Sequence, residues 1–587
     1  MLGSTKSAAL AALLASAHGA GTSKDFPPGW NGLARTPPMG WRSWNAFGNR
    51  ITEDMMLEAA DALVAKTRQG PTAAADAAAD AAAASLCDFG YCSVGIDEGW
   101  EGCGAGVNGT QHDAAGNPTI KTSAFPDLSA VVKYGHFQGL HVGWYENGCA
   151  CGEKTALEIN YEGDVRNLHD LGFDGVKLDG CGKQRNLTLY AALMRDSGKN
   201  YTIENCHWGR CTDSDDSSCP TVDWCPFNWY RTSGDINAGS QSWYANLQTA
   251  TRFLDADAPL SVPGCWAYPD MLEVGRVAEP GADAGTTSGG WNRAHFGAWC
   301  VISAPLILGL DITNEAQLTP ILPIITNAEA IAVNQQWAGH PGRLVRTWPN
   351  VGPNSTAPSG YAWGEACSAA DATQRGWAFD DASGHLTAPS GACLAHSTAD
   401  YGDTALEELP CTTGGDRGYG HGDGGGKNQQ WKRDGASLVD AATGKNCLDL
   451  FGGQACASAP RANLYKCNGG KNQQWNVTAD GQLVNGCGAC IGSKPTPPPG
   501  ASRGGGGANE VQLWAKPQPG KAVAALVINN SPTPYTARIE LAALGIKAGA
   551  ARVRDIWAKA DAGTTTGAFL LSTVAAYDSA FLLFTPA

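Results

Sequence analysis

The sequence predicts an α/β chain made of a (β/α)8 barrel, an inserted all-β region and a C-terminal antiparallel β-sandwich. Three observations carry that expectation. Between about Gly40 and Leu310, short β-rich runs ending on polar or aromatic residues alternate with longer helical patterns, eight times in all. From about 355 to 508 helical periodicity fades, Gly, Asn, Pro and Ser rise, and Gln-X-Trp recurs at Trp431 and Trp475 after a related "TQRGW" ending at Trp377. From 509 to 587 apolar and polar residues alternate, as in strands with one buried face.

In chain order, residues 1–20 pair one Lys with an Ala/Leu run too short to span a bilayer, followed by small residues. That is a signal-peptide pattern, with cleavage expected near Ala17 to Ala20. The barrel is expected over 25–345. Its strand exits read "PMGWRSWN", "SVGIDEGW", "HVGWYENG", "GVKLDG", "YTIENCHWG", "FNWYRTSGDI", "LSVPGCWAYPDM" and "ISAPLILGLDI". The Ala-rich stretch 67–85 reads as an extended surface helix or loop without chemistry. A doubly wound open sheet competes with the barrel, but no glycine-rich phosphate loop follows the first strand.

In such a barrel the active site lies at the C-terminal ends of the strands. Asp97 and Glu98 close the second strand, Asp179 the fourth and Asp235 the sixth, with Asp270 on the seventh. An Asp at the end of an apolar run is a poor strand former and costly to bury unpaired, so it starts a turn or does chemistry. Glycosidic hydrolysis needs one carboxylate to attack or assist water and another to protonate the leaving oxygen in the same pocket. The residues alone therefore rank a glycosidase first and another barrel hydrolase or isomerase second.

The 587 residues carry a net charge of -15, which argues against nucleic acid and anionic membrane surfaces as partners, whereas 20 Trp suit a neutral, hydroxyl-rich ligand. After the leader no segment is apolar and long enough to cross a membrane, so no membrane insertion is expected. Twenty Cys and Asn-X-Ser/Thr sequons at Asn108, Asn186, Asn200, Asn354, Asn476 and Asn529 favour an oxidising secretory route, ending in the medium, cell wall, vacuole or lysosome. Zinc is disfavoured: Cys149/Cys151 and Cys487/Cys490 are each unaccompanied by a second pair at finger-like spacing.

The motifs "PPMGWRSWNAF", "GIDEGW", "GVKLDGC", "RTSGDI" and "PGCWAYPDML", in this order, resemble those of glycoside hydrolase family 27, the α-galactosidase (melibiase) family of retaining glycosidases. The resemblance covers about 34–345, and the C-terminal sandwich fits it too. It implies Asp179 as nucleophile and Asp235 as general acid/base, and places Trp44, Asp97, Tyr145, Lys177, Arg231 and Asp270 around the sugar. Lys177, two residues before Asp179 on the same strand face, can bind hydroxyls and keep the neighbouring carboxylate ionised. Arg231 can orient acids or hydroxyls bidentately, and Trp44 offers a flat apolar face to a pyranose. Retention requires Asp179 and Asp235 to lie roughly 5 to 5.5 Å apart. Cys181 is expected to pair with Cys149 or Cys151. No metal or organic cofactor is implied.

Two positions depart from the family pattern. Glu98 stands where a second Asp is usual near the sugar's C4–C6 end. The extra methylene reaches into space a C6 hydroxymethyl needs, which biases the site toward β-L-arabinopyranosides by about 1 to 3 kcal/mol. In "ENCHWG", Cys206-His207-Trp208 replaces Cys-Glu-Trp beside the C2 hydroxyl, and His207 is there either a hydroxyl ligand or a surface or satisfied core residue.

The inserted region, 355–508, resembles a ricin-B-type β-trefoil carbohydrate-binding module. Its middle repeat supplies Asp449, Asn463, Tyr465, Asn472 and Gln473 as a galactose-type site, with Cys447–Cys467 as its disulfide. The first repeat has Ala395 in place of the sugar-binding Asp, and the third is degenerate. The Gln-X-Trp residues are also expected to pack the core of that region. The expected partners are galactosyl- or arabinopyranosyl-bearing oligosaccharides, polysaccharides or glycoconjugates. The expected function is hydrolysis of terminal α-D-galactosyl residues, with β-L-arabinopyranosidase activity as the alternative and an inactive, lectin-like galactose binder as the reading from another class.

Overall fold

A computed structural model describes residues 26–69, 83–211, 218–280, 289–350, 360–368, 371–396, 406–409, 411, 429–441, 444–450, 462–494, 510–547 and 549–587. The leader, Asn354 and most of the Ala-rich stretch lie outside these residues. The chain divides into two compact units. One comprises the residues up to Arg346 together with Gln512–Ile528 and Thr536–Ala587; the other comprises Thr347–Val511 with Asn529–Tyr535.

In the first unit, eight strands follow the eight expected exits: β1 (Met39–Arg42), β2 (Ser93–Gly95), β3 (His141–Gly148), β4 (Gly175–Gly182), β5 (Thr202–Cys206), β6 (Trp229–Arg231), β7 (Trp266–Tyr268) and β8 (Leu306–Leu308). They form one parallel sheet in sequence order, with β8 returning to pair with β1. A parallel bridge between Leu272 and Leu308, just past β7, joins the remaining edge. The curled sheet has the architecture of a (β/α)8 barrel.

Helices α1 (Glu53–Val64), α2 (Leu128–Phe137), α3 (Glu158–Asp170) and α4 (Leu187–Asp196) follow the first four strands. Thr52, Asp127 and Asn186 cap α1, α2 and α4 with side-chain oxygens that accept from backbone N–H groups of the first turn. Helices α5 (Ser242–Ala250), α6 (Gly289–Val301) and α7 (Ala328–Gln335) follow β6, β7 and β8. The strict alternation expected from sequence breaks once: among the described residues no α-helix joins β5 to β6. That leg holds Gly209, Pro220 and Pro226 and is tied by Cys211–Cys219 and, to the residue before β7, by Cys225–Cys265. Gly and Pro remove helix propensity there, and the cross-links fix the path instead.

The pleat sorts side chains by face. On β4, Val176 and Leu178 join the large apolar core toward the helices, whereas Lys177 and Asp179 take the other face. Inside the barrel, Trp229, Trp266, Tyr268, Met271 and Ile307 form a separate apolar cluster. The C-terminal strands Glu510–Pro517, Val523–Asn530, Ala550–Asp555, Ala560–Thr566 and Asp578–Pro586 belong to a six-stranded sheet. This sheet shares its core with the barrel helices, and α6 comes so close that a Cβ on Gly297 would lie 2.9 Å from Leu526. Lys516, buried in the same layer, donates to the carbonyls of Val333, Asn334 (3.1 Å) and Gln336 (2.7 Å) at the end of α7.

The second unit is built of short strands paired antiparallel throughout the described residues. Its core contains Trp377, Trp431 and Trp475. Each indole N–H donates to the carbonyl that follows a cysteine in a Cys-Leu/Ile strand: Trp431 to Leu394 (3.0 Å), Trp475 to Leu448 (2.7 Å) and Trp377 to Ile491 (3.0 Å). The three Trp residues thus pack the core, as expected. Among the described residues no single helix is long and apolar enough to cross a membrane.

Candidate active site

The exits of β1 to β7 bring most of the predicted pocket residues to one end of the barrel, and their contacts tie them into two groups. The first centres on Asp97. Lys177 Nζ donates to Asp97 Oδ2 at 2.7 Å, and the Ser43 hydroxyl accepts from the Asp97 backbone N–H at 2.9 Å. Lys177 also lies 5.0 Å from the centroid of the Tyr145 ring, its register neighbour on β3. The Tyr145 hydroxyl donates to Asp179 Oδ2 at 2.9 Å while accepting from Asn147 at 3.1 Å. The Cys181 N–H donates to Asp179 Oδ1 at 3.1 Å. Both Asp179 oxygens are therefore held before any ligand arrives.

The Lys177 ammonium is hydrogen-bonded to Asp97 and acts on Asp179 through space. Burial pushes the Asp179 carboxyl up from its ordinary value, while the Lys177 charge and the Tyr145 hydrogen bond pull the other way. Burial is also the largest influence on Glu98, whose half-buried carboxyl is raised, further so by Asp97 and Asp179. Burial lowers the Lys177 ammonium, but the neighbouring carboxylates, Asp97 first, outweigh it and keep Lys177 protonated.

The second group centres on Arg231, buried at the end of β6. Its Nη2 lies 2.8 Å from Asp270 Oδ2 and 3.0 Å from Asp235 Oδ1, and its Nη1 lies 3.4 Å from the Cys206 thiol. Asp270 adopts a left-handed backbone (φ 85°), unusual outside glycine, and accepts from the N–H groups of Ile236 and Met271, both at 2.8 Å. Asp270 is buried, whereas the Asp235 side chain is 68% exposed. Of two carboxylates on one guanidinium, one is thus fixed in the wall and the other faces the opening.

Cys206 stands beside Asp179 in the β4–β5 register and is not in a disulfide. His207 is buried, which removes the surface reading, and its Cα lies 3.1 Å from where a Cβ on Gly180 would be. Trp208 is left-handed (φ 56°) and stacks under Arg210 at 4.6 Å. Trp44, 36% exposed, offers an open indole just past β1. Cys181 pairs with Cys149, while Cys151 pairs with Cys103, so the exits of β2, β3 and β4 are cross-linked in series. These pairs, with Cys490 bonded to Cys367, separate the cysteines whose spacing raised zinc.

Three features escaped sequence reading. Arg42, at the end of β1, reaches across the barrel to Glu204 on β5 at 2.8 Å, both buried. Behind the pocket, on the other face of β3, Glu146 is buried among Glu101, Glu153 and Asp164, and its carboxyl is raised well above its ordinary value by burial first and those acids next. His112 bridges Glu153 and Asp164 at 2.8 Å each; burial opposes its charge, but the two carboxylates prevail and its imidazole is raised to about 9. For Glu204 the signal was alternation: Glu204 and Cys206, like Lys177 and Asp179, share one strand face.

In the second unit, Asp449 lies opposite Asn463 in an antiparallel pair. It accepts from Asn472 at 2.7 Å and Gln473 at 2.9 Å, with Cys447–Cys467 closing the repeat and Tyr465 48% exposed. Burial raises the Asp449 carboxyl to about 6 against the pull of both amides.

A family profile described as Alpha galactosidase A matches residues 36–336, and one described as Alpha galactosidase C-terminal beta sandwich domain matches 508–584. An α-galactosidase of Oryza sativa subsp. japonica is 32% identical over 326 residues, covering 54% of this chain and 67% of the rice protein. Alpha-galactosidase A of Cellvibrio japonicus is 31% identical over 334 residues, covering 52% of this chain and 69% of its own. Among solved structures, α-galactosidase from Saccharomyces cerevisiae superposes with a TM-score of 0.55 at 15% identity, over 96% of this chain and all of that one. A family 27 β-L-arabinopyranosidase from Geobacillus stearothermophilus, in complex with arabinose, gives 0.52 at 13% identity, over 95% of this chain and 99% of that one. These structural likenesses speak to fold alone, but the profile spans half the chain and the two sequence relatives match over 54% and 52% of it. The chain belongs to the α-galactosidase (melibiase) family of glycoside hydrolases, family 27.

Proposed function

We propose that the chain is a secreted, retaining exo-glycosidase that removes terminal α-D-galactosyl residues by double displacement. Asp179 attacks the anomeric carbon as nucleophile. Asp235 gives its proton to the leaving oxygen, then takes one from the water that releases the glycosyl-enzyme. The observation that carries this reading is the contrast between the two acids. Asp179 is immobilised by Tyr145 and the Cys181 N–H, as a nucleophile must be, whereas Asp235 is tethered at one oxygen and faces the opening through which leaving group and water pass. Asp97 and Lys177 bind sugar hydroxyls, Arg231 and Asp270 orient the acid, Trp44 and Trp208 meet the apolar face of the sugar, and Cys206 and His207 line its C2 side.

Glu98 favours a second reading. Its half-buried carboxyl, raised beside Asp97 and Asp179, crowds the C4–C6 side of the pocket, which suits β-L-arabinopyranosides, sugars of galactose configuration without the C6 hydroxymethyl. The test is the ratio of kcat/KM for p-nitrophenyl β-L-arabinopyranoside over p-nitrophenyl α-D-galactopyranoside, in wild type and Glu98→Asp. A galactoside preference in both supports α-galactosidase. An arabinoside preference reversed by Glu98→Asp makes Glu98 the C6 gatekeeper, and cleavage of neither overturns both.

Residues 347–511 serve, in this proposal, as a β-trefoil galactose-binding module, supported by the three core Trp indoles each bonded to the carbonyl after a cysteine and by Asp449 held by Asn472 and Gln473 beside exposed Tyr465. The eight described disulfides support a secretory route.

A further inference from the structure

Charge alternates through the barrel mouth along one buried path. Glu204 on β5 holds Arg42 on β1 at 2.8 Å, Arg42 Nη1 stands 3.8 Å from Asp97 Oδ2, and Lys177 Nζ binds that same oxygen at 2.7 Å. Every member is nine-tenths or more buried. Arg42 Nη1 makes no hydrogen bond: it is an unspent donor facing a carboxylate oxygen already taken by Lys177. Glu204 is moreover the register neighbour of Lys177 on the adjacent strand. The guanidinium and the ammonium thus compete for Asp97, and Glu204 lies within reach of both cations.

We propose that Arg42 and Glu204 are positioning residues of the glycosidase site. By drawing the guanidinium to β5, Glu204 keeps it off Asp97 and leaves Asp97 to Lys177; by occupying Glu204, Arg42 keeps that carboxylate off Lys177. Lys177 is thereby fixed between the sugar-binding Asp97 and the nucleophile. The inference rests on the proposed roles of Asp97 and Asp179.

Two opposite displacements follow. Without Glu204, Arg42 is free to take Asp97, and the released Lys177 turns to Asp179, whose ionised form gains. Without Arg42, Glu204 recruits Lys177, and the ionised form of Asp179 loses support. The experiment is the pH profile of kcat/KM on the better of the two p-nitrophenyl glycosides for wild type, Glu204→Gln, Arg42→Met and the double variant. The acid limb, which reports ionisation of the nucleophile in the free enzyme, is expected to move down by roughly one pH unit in Glu204→Gln and up by a similar amount in Arg42→Met, and to return near wild type in the double variant. A pair that merely packs would lower kcat or Tm without moving the limb. An unmoved limb in both singles, or shifts in the same direction, overturns the proposal while Asp179→Asn still tests the nucleophile separately. Should wild type cleave neither glycoside, the proposed activity falls, and thermal melts of the four proteins decide the pairing. A double variant more stable than either single sustains it, because each single strands a buried charge, and additive losses overturn it.

Discussion

Two carboxylates at the centre of two sites, Asp179 in the barrel and Asp449 in the antiparallel unit, are held in chemically different ways. Asp179 accepts from a phenol and a backbone N–H and sits in the field of a buried cation. Asp449 accepts from two neutral amides, and among the described residues the opposition to its burial comes from those amides. A nucleophile must remain ionised while losing its hydration to a substrate, which calls for a fixed opposite charge nearby. A residue that only accepts hydrogen bonds from a sugar needs directed lone pairs, and amides suffice to aim them.

The sharpest break of that comparison is Asp179→Asn, expected to lower kcat by about 10^4-fold or more with the melting temperature retained. Residual activity within about tenfold of wild type would remove Asp179 from the mechanism. Next is Lys177→Met, which strands Asp97 and strips the field from Asp179. Its kcat/KM should fall by about 10^2 to 10^3, and an unchanged value would show that Asp179 needs no cation.

The amide-held site has its own signature in pH. Because the folded Asp449 carboxyl is raised to about 6, above its ordinary 3.8, the folded chain binds this proton more readily than the unfolded one between those values. Ionising it therefore subtracts stability as pH rises through that window, and Asp449→Asn should flatten the corresponding slope in melts. Retention of the full chain on immobilised galactose should show the reverse dependence, weakening as pH falls below about 6, and a pH-independent retention would exclude Asp449 from the sugar.

The smallest expected effect concerns a cation held without any carboxylate. Lys516, with three carbonyl acceptors, is lowered to about 7 by burial, so the unfolded chain binds the extra proton between about 7 and 10.5 and this group's contribution to stability rises with pH across that range. Lys516→Met removes that dependence and leaves the end of α7 short of donors, a loss of about 2 kcal/mol read as a lower Tm.

The barrel was legible because its signals are local: each strand exit places an apolar run next to a polar or aromatic turn, and the carboxylates stand at those turns. Asp97, Asp179, Asp235 and Asp270 could all be picked out that way. The Arg42–Glu204 pair could not, because 162 residues separate partners that meet only across a closed barrel. The partner of Lys177 was hidden for a similar reason, since the strand face pointed to Asp179 two residues away while the hydrogen bond runs to another strand. That no α-helix joins β5 to β6 among the described residues was foreshadowed by Pro220 and Pro226, but disulfide pairings in that leg depend on spatial approach, which spacing does not encode.

One sequon changes meaning once folded. Asn108, Asn186, Asn200 and Asn476 are exposed, but Asn529 is buried, donates to Thr533 O at 2.9 Å and accepts from Asn350 at 3.0 Å. A glycan on that nitrogen would have no space and would remove a donor from a sealed network. In a host whose oligosaccharyltransferase meets the nascent chain before it collapses, modification at Asn529 and maturation of the protein are mutually exclusive. Yield would then depend on which reaches the asparagine first, and Asn529→Asp or Ser531→Ala would release that competition at the cost of a hydrogen bond.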